Sequence, residues 1–452
     1  ENSGSPEALL NFVRWCTESS DVGCRGRKAQ NYALIVSGHS LGFHGKTFLH
    51  DERTGKHFTL SSFRKALEQI NDRYLNNGSD GQIAILGFDS CLMSMLEVGY
   101  ELKDVTKTIV ASQGNLPNSG WGYAEMLTDF ATEMESGASL NSLAGSFVRS
   151  FTDYHRGLAI GGRAMDISAW DLGKVVPLAE AVSHLGYGLT HLLQDGPGQG
   201  GRRLSREIKR IILQGHYDSQ TYMADQCVDI KDLCQRLIDE CVYAGSERAI
   251  DNLNGVCRKV IDAVNDCVIK CGFSGDTYQF SNGISMFFPW SYLSFALTDS
   301  QYRSLRFVRG KGNGDAYRPS GIGLGWYEFL LNYVGNITFR RLRKQRKNAP
   351  ANRGLCDSIV QRRERVLVAG TRDGLPFTKD GLPFTKDGLP FTKDGLPFTK
   401  DGLPFTKDGL PFTKGMAESS NYLAYFGRFK NFELGWDISG FADDGPEDRA
   451  VT

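Results

Sequence analysis

The chain has 452 residues, with 52 basic against 52 acidic side chains, 40% hydrophobic and 23% charged, a composition suited to a globular protein of roughly two to four domains. Zero net charge leaves no global field to hold a polyanion, which excludes a nucleic-acid coat protein, and no run approaches the roughly 18 apolar residues of a membrane span. Ten cysteines at this length are far too few for a disulfide scaffold.

In chain order, Leu9, Leu10, Phe12, Val13 and Cys16 recur at helical spacing and predict a helix over 7–17. The apolar run 32–36, ending at Ser37-Gly38, reads as a buried strand. Thr59 precedes Phe63, Ala66, Leu67 and Ile70, the pattern of an amphipathic helix with a hydroxyl cap. A second buried strand over 83–88 leads into Asp89-Ser90 and a helix expected from Cys91 to Lys103. A third strand is expected over 108–112, then helices over 125–150, 176–195 and 228–244, a strand over 283–288 and a last helix over 325–334. Uniformly apolar strands alternating with helices predict an α/β protein around a mainly parallel sheet.

From 336 the character changes. A basic linker over 336–372 packs six positive charges into residues 340–347. Residues 373–414 are six identical copies of Asp-Gly-Leu-Pro-Phe-Thr-Lys, whose period is too short for a solenoid and whose Pro and Gly forbid a coiled coil. They read as a flexible tether, and 415–452 is an unassigned tail. The chain opens without Met or a leader pattern, so the N-terminus reads as incomplete and cytoplasmic and secreted locations both stay open.

Two chemistries compete at the first strand tip. Gly38-His39-Ser40-Leu41-Gly42 matches the G-x-S-x-G nucleophile elbow, which would make Ser40 the nucleophile of an esterase. No helical pattern follows it at once, as an elbow needs. The alternative pairs His39 with Cys91, because parallel strands bring both tips to one sheet edge, where open α/β sheets place their sites. A helix starting at Cys91 would lower the thiol pKa through its partial positive charge.

Asn31 to His39, Phe88 to Lys103 around Asp89-Ser90-Cys91, and Ala111-Ser112-Gln113 to Gly120-Trp121-Gly122-Tyr123 resemble the clostripain-like cysteine peptidases. The likeness continues less tightly through Ala164 to Ile167, Val228 to Leu233 and Ser281 to Pro289, and covers 1–335. It implies a caspase-like α/β/α sandwich with a flexible, repeat-containing C-terminal extension, its opening strand missing here, and cleavage of a protein or peptide substrate after Arg or Lys. By position His39 matches the catalytic histidine and Cys91 the nucleophile, with the Ser40 and Cys91 backbone N–H groups at the oxyanion. Asp89 matches the carboxylate for the basic side chain, with Ser112 and Ser119 beside it as substrate-binding residues. The chain departs from the pattern at Ser40, where Gly is usual, and at Ser119, where a second acid is expected. These departures keep a degenerate, non-catalytic scaffold as the rival reading.

His44 is a rival to His39, and the remaining histidines show no ligand spacing. Cys227, Cys234 and Cys241 at seven-residue intervals, with Cys267 and Cys271, lack zinc spacing and read as core. No metal or other cofactor is expected; calcium enters only as a family association. Neither nucleic acid nor membrane is an expected partner, and a monomer is expected. Residues 46–58 hold few apolar anchors, so a mobile loop with self-cleavage after Arg53 or Lys56 is expected.

Overall fold

The computed structural model describes residues 3–336 apart from 19–28, 45–47, 52, 76–80, 118, 158–163, 195–198, 224–225, 245–247, 291 and 311–319. The basic stretch 340–347, the repeats and the tail lie outside the described residues. Helix α1 (Pro6–Glu18) precedes strand β1 (Ala33–Ser37), helix α2 (Leu60–Ile70), β2 (Ile83–Asp89), α3 (Leu96–Leu102) and β3 (Thr106–Ala111). Then come α4 (Tyr123–Glu135), α5 (Leu140–His155), β4 (Met165–Asp171), α6 (Val175–Gln194) and α7 (Gln199–Asp218). The short strands β5 (Thr221–Tyr222) and β6 (Cys227–Asp229) lead to α8 (Ile230–Ala244), α9 (Arg248–Cys267), β7 (Val268–Ser274) and β8 (Ser285–Phe287). Helices α10 (Tyr292–Ser304), α11 (Arg306–Arg309) and α12 (Leu324–Asn336) complete the described chain.

Two compact units divide it: Glu1–Phe288 with Thr298–Tyr333, and Pro289–Leu297 with Val334–Thr452. Described residues of the second are Pro289, Trp290, the opening of α10 and the end of α12. The first holds a five-stranded sheet in the order β1-β2-β3-β4-β7. The β1–β2 and β2–β3 ladders are parallel, while β4 runs antiparallel to both its neighbours, so four strands share one direction. Every residue of β2 is buried, as expected of a strand covered on both faces.

The two faces separate with the period of two that a strand imposes. Ile85, Val110, Met165, Ile167 and Ala169 meet Trp121 and Met126, Phe147 and Phe151 from α4 and α5. On the opposite face Phe63 of α2 sits edge-on to Phe48 and Phe58, with its ring 6.0 Å from that of Phe88 of β2. Burying a ring like Phe63 contributes about 1.5–3 kcal/mol. Helix α2 forms because its apolar residues share one stripe and its first turn is closed by a capping box between Thr59 and Ser62. Helix α6 buries Val175, Leu178, Val182, Leu185 and Leu189 at helical spacing and packs on α3, α7 and α9. A small antiparallel sheet, β5-β6-β8, joins the main body where Ser285 donates its N–H to the Ser94 carbonyl at 2.9 Å.

Several expectations need correction. The helix foreseen over 125–150 is two helices, broken at Gly137 with φ +77° and restarted by the Ser139 cap. No helix begins at Cys91; α3 starts at Leu96. The expected loop is anchored at Phe48 and Phe58, each 2% exposed. Strands β4 and β7 and helices α7 and α9 had no counterpart in the sequence reading. Cys227, Cys234, Cys241 and Cys267 are buried as expected, but Cys271 is exposed on β7.

The tightest helix–sheet contact lies at Gly99 of α3, where an added Cβ would be driven into the Trp170 indole. Gly99→Ala should therefore destabilise the protein by about 1–3 kcal/mol despite alanine's better helix propensity. Urea unfolding checks this; an unchanged midpoint would show that the indole moves aside freely.

Candidate active site

Register sets the site. Ser37 pairs with Asp89 at the last rung of the parallel β1–β2 ladder. Gly38 then donates its N–H to the Asp89 carbonyl at 3.2 Å, and Ser90 Oγ donates to the Gly38 carbonyl at 2.7 Å. His39 and Cys91 each stand two residues beyond that rung, at the same edge of the sheet. His39 is exposed, and Cys91 is partly exposed as a residue while its thiol is buried.

Two unusual backbone positions, and one ordinary one, shape this edge. Gly42 has φ +63°, and a Cβ there would strike Met95 Sδ and the Leu92 carbonyl. Leu92 holds φ +61° without being glycine, a costly geometry retained by its buried side chain and by its N–H bond to the Gly114 carbonyl at 3.0 Å. Ser40 keeps an ordinary negative φ, so a side chain fits where the family pattern has glycine. Its hydroxyl is buried, donates to Met93 Sδ at 2.8 Å and accepts from the Gly42 N–H at 3.1 Å. That hydroxyl is committed to holding its own loop, which argues against the esterase assignment. Neither the Ser40 nor the Cys91 N–H donates to another residue among those described.

Cys91 sits in a turn, so the expected lowering of its pKa by a helix terminus does not occur. Burial pushes the thiol up to about 11; the Leu116 N–H, which it accepts at 3.2 Å, lowers it, while the charges of Asp89 and Asp166 raise it. The resting sulfur is a thiol. The loop carrying Leu116 is in turn held by buried polar bonds. Asp166 accepts the N–H groups of Gln113 and Gly114 at 2.7 and 2.8 Å. Gln113 donates from its side chain to Asp229 at 2.9 Å and accepts the Gly283 N–H at 2.8 Å. Burial pushes Asp166 up to about 7 and Asp229 to about 6, against the pull of those N–H donors. Gln113, Asp166 and Asp229 carry no sequence signal of this role beyond lying within the resemblance blocks.

Asp89 is 7% exposed and accepts on Oδ2 from Tyr123 Oη at 2.8 Å, Ser37 Oγ at 3.2 Å and the Trp121 N–H at 3.4 Å. Gly120, with φ +63°, runs against this carboxylate. Its carbonyl is held by His155, whose Nε2 lies at 3.0 Å and therefore carries the ring proton. Burial lowers the His155 pKa, offset in part by that bond and by Asp89. Sequence reasoning treated His155 as surface or core, because nothing local links it to a turn 35 residues away. Ser119 is exposed beside Gly120, whereas Ser112 is fully buried and its hydroxyl has no partner among the described residues, sealed beneath the loop instead of facing a substrate.

His44 is 4% exposed, its ring 3.9 Å from Phe43 and 5.1 Å from Phe287, and neither nitrogen has a partner among the described residues. Burial lowers its pKa to about 3, so it is a neutral core ring and a poor candidate base. Arg53 and Lys56 are exposed on a tight turn. Asp51 closes that turn: it bridges to Lys56, its N–H donating to the Lys56 carbonyl at 2.8 Å, and its carboxylate accepts from the N–H groups of Arg53, Thr54 and Ser3. The expected mobile loop is therefore an accessible but hydrogen-bonded one. Among the described residues no group of three or more His, Cys, Asp or Glu is placed to hold a metal ion.

The sequence model of the clostripain family matches residues 1–310. An inactive zymogen C11 protease from Parabacteroides distasonis is similar at 14% identity and TM-score 0.41, over 68% of this chain and 75% of that one. A secreted C11 cysteine protease from Bacteroides thetaiotaomicron is similar at 14% identity and TM-score 0.43, over 63% of this chain and 72% of that one. No curated protein matches the chain.

The buried His44 makes stability depend on pH. Its folded pKa is depressed, so the folded state gains nothing from protonation and loses stability as pH falls below 6.5, by about 1.4 kcal/mol per unit. His44→Phe removes that titration, and relative to wild type it should gain about 2 kcal/mol between pH 7 and pH 5. Denaturant titrations of both proteins at the two pH values check this, and parallel shifts would contradict it.

Proposed function

The chain belongs to the clostripain family and is a cysteine-type peptidase with a peptide substrate; from that premise we propose that His39 and Cys91 form its catalytic dyad and that it cleaves after Arg or Lys. The observation that carries the dyad is the shared register, which starts both residues from one rung of the sheet. Because the thiol rests protonated, it needs a base, and the exposed imidazole of His39 is the group at the same edge able to take its proton. The thiolate then attacks the scissile carbonyl. The N–H groups of Ser40 and Cys91, both without other described acceptors, receive the oxyanion. His39 returns the proton to the leaving amine, and water hydrolyses the thioester with His39 again as base. No cofactor enters these steps. Asp89 takes the basic side chain before the scissile bond, at a strand end where desolvation strengthens an ion pair.

Self-cleavage fits the same reading. A peptidase takes its substrate extended, and the turn of Arg53 and Lys56 is held closed by Asp51. Opening that turn is the step that limits cutting, and the local concentration of the loop makes up for its rarity.

Cys91→Ala and His39→Ala should lose peptide hydrolysis by at least about a thousandfold, while Ser40→Ala, which keeps the N–H, should retain most of it. Fluorogenic peptides measure this, and an inactive Ser40→Ala beside an active Cys91→Ala would mean a serine enzyme. For self-cleavage, intact mass should show wild type cut after Arg53 or Lys56, Cys91→Ala uncut, and Asp51→Ala cut several-fold faster. A fully active, uncut wild-type chain would remove self-cleavage from the mechanism.

A further inference from the structure

The carboxylate of Asp89 is used unevenly. All three of its donors, Tyr123 Oη at 2.8 Å, Ser37 Oγ at 3.2 Å and the Trp121 N–H at 3.4 Å, converge on Oδ2. No described residue donates to Oδ1. Gly120 runs against the carboxylate, where an added Cβ would lie 2.8 Å from Oδ2 and 3.3 Å from Oδ1. A basic side chain arriving here therefore meets one free carboxylate oxygen. Ser119, exposed beside Gly120, adds a neutral hydroxyl and no second charge.

The two basic side chains read this arrangement differently. A guanidinium is a rigid fork that gains most from two parallel bonds to both oxygens of one carboxylate. An ammonium is a point charge with three swivelling donors, and it is served as well by one oxygen and neighbouring hydroxyls. With Oδ2 occupied, arginine loses its second bond and lysine loses little.

We propose that Tyr123 is a specificity-determining residue: by holding Oδ2 of Asp89 it removes the usual advantage of arginine and makes lysine an equal or better residue before the scissile bond. Ser37 supports it from the neighbouring strand. The inference rests on the reading of Asp89 as the carboxylate that receives the basic side chain. Tyr123 opens α4, is 38% exposed and leaves no cavity when its hydroxyl is removed, so the phenylalanine variant is a mild change.

The test is kcat/KM of the full chain on three peptides differing only in Arg, Lys or Leu before the scissile bond, for wild type, Tyr123→Phe and Ser37→Ala. Wild type should take Lys at least as well as Arg, and both far better than Leu. Tyr123→Phe should raise the Arg-to-Lys ratio about tenfold, the worth of one charge-assisted hydrogen bond, chiefly through a lower KM for Arg. Ser37→Ala should move the ratio the same way by less, and confirms the direction should the first variant fold poorly. An Arg-to-Lys ratio unmoved by both variants, with basic peptides still preferred over Leu, overturns the assignment to Tyr123 while sparing Asp89. Equal turnover of Arg, Lys and Leu by wild type overturns both.

Discussion

The parallel pairing of β1 with β2 is the constraint on which the site depends. Five consecutive rungs, Ala33↔Ile85 to Ser37↔Asp89, fix how far each strand extends before the chain turns away. A slip of one residue would reverse which side chains of β1 face the helices and would carry Ser37 away from Asp89. The buried alternation of Leu34 and Val36 opposes such a slip, as does the fully covered β2. Beyond the last rung the two loops stay joined by bonds between Gly38 and the Asp89 and Ser90 pair. The placement of His39 and Cys91 is a by-product of strand register, with no helix terminus lending charge to the sulfur.

What keeps the loop of Gln113 to Leu116 and the segments around it in place is a set of buried carboxylates. Asp166 and Asp229 hold Gln113 and its loop, and Glu97 accepts the Phe287 N–H and the Tyr302 hydroxyl, both at 3.0 Å. Burial raises Glu97 to about 7, as it raises Asp166. A raised folded pKa means that the contribution of these groups to stability is full below their unfolded pKa and is lost as pH climbs through about 7. Their sign is opposite to that of His44 and His155, so the fold is pressed from the alkaline side by its buried acids and from the acid side by its buried imidazoles. Backbone N–H donors make the ionised acids tolerable, and they do so by fixing loops that hydrophobic packing alone would leave loose.

Much of this was legible in the chain. The runs at 32–36 and 83–88 are apolar on both faces, and that alone identified the two strands that lead to His39 and Cys91. The assignment of a helix at Cys91 failed because Asp89 and Ser90 look like caps but are spent elsewhere: Asp89 on Tyr123, Ser90 on the Gly38 carbonyl. Helix α3 starts later, at Leu96, and Met95 before it gives no side-chain cap. Strand β4 was invisible because Asp166 and Ser168 interrupt its apolar pattern, although both are buried and bonded. The break at Gly137 was readable from Ser136-Gly137-Ala138-Ser139, a turn followed by a helix cap, and was missed. The role of His155 could not be read locally, since its partner is a carbonyl across the fold.

One consequence of the Cys91 environment concerns chemical durability. With burial pushing the thiol up to about 11, the sulfur is overwhelmingly protonated at pH 7. Peroxides attack the ionised sulfur, so a site with no peptide in it offers them almost nothing to oxidise. A sulfur that stays protonated until a base takes its proton is a poor target for the steps to sulfenic acid and beyond, and burial confers that protection on Cys91 in the resting chain.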